Sequence, residues 1–297
     1  MIYEGGIRMG DRIIVFLFAI AVSILPEILV IQFDPSILSW VLPLKTVIVL
    51  LLLFLSRKKN RSVIDFGLVC FVLLLFQLFS DKIQTLNLWK ELFSKNTFID
   101  VIGASLFLKS FSVILVLAVL FIRLKDRRAF FLTKGNLDVY ASEVKWLGID
   151  ANWVTWKKLA LVSGILISLG TFMGTVFTVT GFNIPKNAGE LLKFFPYILG
   201  FALLNSLFEG IVYRNGILAT LSRILPQEKA ILTGALIFGV AHYFGAPGGI
   251  IGAIMASFLG WFMGRSVLET KGIAAAWLIH FMQDTVIFSA LYLFNFL

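Results

Sequence analysis

The sequence predicts an all-α fold, a polytopic transmembrane helical bundle with about eight to nine membrane-spanning helices, and three observations predict it. Of 297 residues, 59% are hydrophobic and only 14% charged, and the mean hydropathy is +0.94, far outside the range of soluble domains. Apolar segments of roughly 20 residues, each long enough as a helix to cross about 30 Å of hydrocarbon, recur along the whole length. Basic residues gather on alternate loops, as expected of a chain with a cytoplasmic side.

The spans fall at about 13–33, 37–56, 63–80, 98–122, 159–182, 192–221, 230–244, 250–263 and 273–296. Pro26 and Glu27 interrupt the first, where Glu27 marks a helix break or an interface. The seventh and eighth are short. The joint between them, "YFGAPGG" at 243–249, reads either as a link between tilted helices or as a loop at membrane depth, which only surrounding protein or a wet cavity tolerates.

Twenty-six Lys and Arg against 17 acids give a net charge of +9. Arg8 and Arg12, the run "RKKNR" at 57–61, the segment 123–158, Arg223 with Lys229, and Arg265 with Lys271 mark the inner loops. That places the N-terminus in the cytoplasm of a multi-pass protein, most simply in the cell membrane. Topology and the lipid bilayer, as partner, account for the basic balance; nucleic acid is not expected, because no soluble basic module is present. Cys70 is the single cysteine, which excludes an internal disulfide and a multi-cysteine metal site. The first span reads as a retained helix, since it is long and lacks a small-residue cleavage site.

Three parts follow: N-terminal transmembrane helices over 1–122, a cytoplasmic or interfacial connector over 123–158, and a transmembrane core over 159–297. The connector carries eight Lys or Arg, four acids, and Trp146, Trp153 and Trp156. That pattern suits an amphipathic helix in the headgroup layer.

A charge near the bilayer centre costs at least about 2.5–3.5 kcal/mol, so ionisable residues there are functional candidates. Glu209 and Arg214 lie in the sixth span, His242 in the seventh, and His280 and Asp284 in the ninth; these are the only two histidines. Counting about 1.5 Å per residue from the nearest inner-loop cation, Glu209 lies about 21 Å deep, His242 about 20 Å and His280 about 14 Å. All three levels fall within roughly two helical turns. Phe238 and His242 are four apart, as are His280 and Asp284, so each pair shares a helical face. Glu209 and Arg214, five apart, do not stack on an α-helix; Arg214 is expected to be neutralised across helices by Glu209, Asp284 or Glu269.

These residues resemble the CAAX protease and bacteriocin-processing enzymes, the abortive-infection family of membrane-embedded proteases. "EGIVYR" at 209–214 is similar to the family's first motif, "FGVAH" at 238–242 to its second and "HFMQD" at 280–284 to its third, in the same order. "WLGID" at 146–150 and the run 258–280 leading to the last histidine are weaker echoes, so the resemblance covers about 144–295. This chain departs from the family in having Gly210 for the second glutamate, Asn215 for a glycine, and Asp284 where asparagine is commonest.

The resemblance implies a glutamate-dependent intramembrane endopeptidase acting on a membrane-associated or prenylated peptide or protein. Glu209 would be the general base on a water held with His242, and His280 and Asp284 would bind the developing oxyanion or the water. Phe238 would pack beneath His242, and Arg214 would act structurally and electrostatically. No cofactor or metal is required. The same Glu209, His242, His280 and Asp284 also make a ligand set for Zn, against which stands the lack of a His-Glu-x-x-His spacing. A non-enzymatic alternative is a catalytically silent immunity or scaffold protein, or a proton-coupled carrier, although no inverted repeat is visible.

Overall fold

The computed structural model describes residues 9–58, 60–93, 95, 97–180, 188–245 and 248–295, without the side chains of 175–180, 188 and 295. Among these, every regular element is helical: α1 (Met9–Val22), α2 (Leu25–Phe33), α3 (Leu38–Ser56), α4 (Arg61–Thr85), α5 (Asn87–Leu92), α6 (Phe98–Leu124), α7 (Trp156–Thr180), α8 (Leu191–Glu209), a π-helix (Gly210–Leu218), α9 (Ala219–Leu221), α10 (Gln227–Ala241), α11 (Gly249–Thr270) and α12 (Ala274–Asn295). Among the described residues, seven helices are long and apolar enough to cross a membrane, or eight if α1 and α2 form one bent span. The protein is an integral, multi-pass, all-α membrane protein.

The expected first span is the bent pair. α1 and α2 meet at 62°, with a proline in the first turn of α2 that has no N–H for the preceding ladder. Lys45 of α3 donates to the Ser23 carbonyl at 2.7 Å and pairs with Glu27 at 2.6 Å, so two charges and an end-of-helix carbonyl satisfy each other at the break.

The expected span at 230–244 is not a full crossing. α10 has 15 residues, about 22 Å of rise against about 30 Å of hydrocarbon. The expected 250–263 segment instead lengthens to the 22 residues of α11. Ala246 and Pro247 of the joint between them lie outside the described residues, as do Arg8, residues 181–182 and residue 296; Gly249, at φ +69°, donates its N–H to the Tyr243 carbonyl at 2.6 Å.

The connector is not the helix its amphipathic composition suggests. It forms two 3₁₀ turns, Arg127–Phe130 and Lys145–Leu147, and two isolated bridges, Tyr140 with Thr155 and Val144 with Ile149. Positive φ at Lys125, Phe131, Gly135, Gly148 and Asn152 repeatedly reverses the chain, which no α-helix accommodates.

The helices sort into two compact units. The first comprises 1–86, 111–132 and 211–265. Its core includes the edge-to-face pair of Phe18 and Phe66, 6.2 Å apart. Arg123 pairs with the buried Asp65 at 2.6 Å, and the buried Asn215 donates to the Phe130 carbonyl at 2.6 Å. α10 and α11 approach so closely that a Cβ on Gly239 would sit 2.5 Å from the Ala253 carbonyl oxygen, a distance only glycine permits.

The second unit comprises 87–110, 133–210 and 266–297. α12 packs against α7 and α8; Phe98, Ile198, Ala202, Phe288 and Tyr292 form an apolar core, with Phe98 and Tyr292 edge-on at 5.3 Å. The connector is tied to the α11–α12 joint. Gly135, at φ +78°, abuts the Gly272 backbone; Asn136 N–H donates to the Thr270 carbonyl at 2.8 Å; and Thr133 Oγ1 donates to the Lys271 carbonyl at 2.9 Å. Glu269 Oε2 accepts from the buried Trp156 indole at 2.7 Å and from Ser142 N–H at 2.9 Å. Trp146 and Trp153 are 67% and 66% exposed.

Candidate active site

In the second unit a closed set of polar side chains links α6, α8 and α12. Asn205 and Glu209 are one turn apart on α8, and His280 and Asp284 one turn apart on α12, so each pair faces one way. Asn205 Nδ2 donates to Asp284 Oδ2 at 3.0 Å, while His280 Nε2 lies 3.6 Å from Glu209 Oε2. The earlier residue of one helix thus meets the later residue of the other, so α8 and α12 run antiparallel here. His280 Nε2 is also 3.5 Å from Asp284 Oδ1. These two separations exceed a good direct hydrogen bond and leave close electrostatic contacts between the ring nitrogen and both carboxylates.

The set closes through α6. Lys109 Nζ donates to Glu209 Oε1 at 2.7 Å and to Asn205 Oδ1 at 2.6 Å. With a neutral imidazole, one ammonium and two carboxylates leave a formal charge of −1. A single proton, on the imidazole or on a carboxyl group, brings the set to neutrality. His280 and Asp284 are each only 4% exposed, and such a balance suits charges removed from water.

The first unit holds the other predicted residues. His242 ends α10, and its Nδ1 lies 2.8 Å from the Phe238 carbonyl oxygen. A carbonyl only accepts, so Nδ1 carries the proton and Nε2 is the lone-pair nitrogen of the neutral ring. The Phe238 ring is shared: His242 lies at 4.4 Å between centroids, Tyr213 edge-on at 5.0 Å, and the Arg214 guanidinium at 4.1 Å, a cation–π contact. Arg214 Nη2 also points at Met263 Sδ, 3.6 Å away.

The π-helix carries Tyr213, Arg214 and Asn215 and starts directly after Glu209. Its wider i→i+5 turn changes the facing of residues downstream. The α-helical spacing rule that set Glu209 apart from Arg214 therefore does not apply across it. Gly210 stands where the family carries a second glutamate, and a Cβ there would meet Ile273 Cδ1 at 3.0 Å, so Ile273 fills the space a larger residue would need.

Among the described residues, no group of three or more His, Cys, Asp or Glu is disposed to hold a metal ion. The carboxylate of Glu209 is turned in part to an ammonium, which competes with a cation for the same oxygen.

Two residues of this set are absent from the sequence reading. Lys109 is the lone charge between Asp100 and Arg123 on α6, so the membrane-depth rule that selected Glu209 selects it equally. Asn205 is one turn from Glu209, where an intramembrane amide calls for a partner.

Residues 191–286 match the family model of type II CAAX prenyl endopeptidase Rce1-like proteins. The match agrees with the resemblance drawn from the three motifs. No curated protein and no solved structure matches the chain. The Rce1-like segment runs from the first residue of α8 into α12, and takes in Asn205, Glu209, Arg214, Phe238, His242, His280 and Asp284. It covers about a third of the chain. Lys109 lies outside it.

Proposed function

We propose that this protein is an intramembrane endopeptidase that hydrolyses a peptide bond of a prenylated or otherwise membrane-associated peptide or protein. The observation that carries the reading is the convergence of Glu209 with His280 and Asp284 at 3.5–3.6 Å in a buried setting, inside the segment similar to a prenyl endopeptidase family. Glu209 takes a proton from water as its oxygen attacks the scissile carbonyl, and returns it to the leaving amine when the tetrahedral intermediate collapses. The His280 Nε2–H stabilises the oxyanion. Asp284, which accepts from Asn205 and flanks His280, holds that ring in place as well as binding water. The motif resemblance assigns His242 a part in holding the attacking water, with Phe238 and Arg214 in support.

The mechanism calls for no metal. The cell membrane is taken as the protein's location, and the distribution of Lys and Arg supports a cytoplasmic N-terminus. The test is incubation of the purified protein in liposomes with a prenylated peptide, followed by mass analysis of the products. New peptide termini are expected. An intact peptide, with the protein folded, contradicts the endopeptidase reading and favours a silent or carrier role for the same polar set.

A further inference from the structure

Lys109 differs from the other members of the polar set in origin and in chemistry. It comes from α6, outside the Rce1-like segment, and an ammonium can only donate. Its contact at 2.7 Å fixes Glu209 Oε1. The other oxygen, Oε2, is the one 3.6 Å from His280 Nε2. The second contact, 2.6 Å to Asn205 Oδ1, forces the amide oxygen of Asn205 toward the lysine. Its NH₂ must then face Asp284, where it donates to Oδ2 at 3.0 Å. One cation thereby orients both carboxylates, Glu209 directly and Asp284 through an amide.

We propose that Lys109 is a positioning residue for the hydrolytic reaction: by holding Glu209 Oε1 and the orientation of Asn205, it makes Glu209 Oε2 the oxygen that takes the proton from water. This rests on the endopeptidase reading given above. The N-terminal part of the chain is then required for the chemistry itself, because it delivers this cation to Glu209 from outside the family-like segment.

A positioning role appears in turnover rather than in substrate binding. The experiment compares the full-length protein, Lys109→Met and Lys109→Arg in liposomes, with a quenched fluorescent prenylated peptide, rates normalised to folded protein. Losing a charge-assisted hydrogen bond at the base predicts a fall in kcat of about 10- to 100-fold for Lys109→Met, with KM within about twofold. Lys109→Arg keeps the cation and recovers most of the loss. A kcat for Lys109→Met within about twofold of the unaltered protein, a loss confined to KM, or an arginine variant no faster than the methionine one overturns the proposal. If Lys109→Met does not fold, Lys109→Gln replaces it under the same criteria. Cleavage that needs Glu209 but not Lys109 overturns this proposal alone; no cleavage by the unaltered protein overturns it together with the endopeptidase reading.

Discussion

Asn205 donates its side-chain amide to Asp284 Oδ2 at 3.0 Å, and this contact gives a buried carboxylate oxygen a hydrogen-bond partner. An aspartate accepts what a neighbouring amide gives. Replacing Asn205 by Leu removes the donor and leaves a buried carboxylate oxygen unsatisfied, at a cost of about 1–3 kcal/mol; a lowered thermal midpoint in detergent is the expected readout. Asp284→Asn keeps an acceptor for Asn205, so its peptide cleavage is expected to stay within about tenfold of the unaltered protein, while Asp284→Leu loses far more.

The connector is held by Glu269, which accepts from the Trp156 indole and from Ser142 N–H. Glu269→Ala removes both contacts. Hydrogen bonds to a charged group contribute about 1.5–3 kcal/mol each, so limited proteolysis is expected to cut within 133–156 at protease levels that leave the unaltered protein whole. Equal resistance of the two proteins contradicts this anchoring.

Lys45 and Glu27 pair at 2.6 Å, with side-chain exposures of 4% and 20%. Removing one partner strands the other in an apolar setting. Lys45→Met or Glu27→Leu alone is expected to destabilise by about 3 kcal/mol, the low end of the range because Glu27 is partly exposed, whereas the double replacement restores most of that. Thermal midpoints of the three variants measure this directly.

The extent to which the sequence was legible follows from what each rule can detect. Long apolar runs give span after span, because crossing hydrocarbon demands them. The 15-residue α10 falls short of a span, and apolar composition alone does not register where a helix stops. The connector's Trp and Lys pattern reports an interface and not a helix, and the positive φ of Phe131 leaves little trace in residue type. Glu209, His280 and Asp284 were legible through depth and i,i+4 spacing. Lys109 obeyed the same depth rule but sits among N-terminal helices that the motifs do not cover, and Asn205 is uncharged. The π-helix after Glu209 was not legible, since its i→i+5 ladder is a property of backbone packing and has no periodic signature over nine residues.

Metal dependence separates the proposed chemistry from a zinc reading of the same residues. Purified protein is expected to cleave a prenylated peptide at an undiminished rate after a strong chelator, with metal well below one ion per chain by elemental analysis. Loss of cleavage on chelation, restored by added zinc, contradicts the glutamate-and-water mechanism.

The central claim is that Glu209 activates the water, and the most direct measurement is peptide cleavage by Glu209→Gln, a change of one atom that keeps the shape and removes the base. Taking out a general base at such a centre lowers turnover by about 100- to 10,000-fold, so the variant is expected to fold, bind and leave the peptide essentially intact. Cleavage by Glu209→Gln at a rate close to that of the unaltered protein contradicts the account.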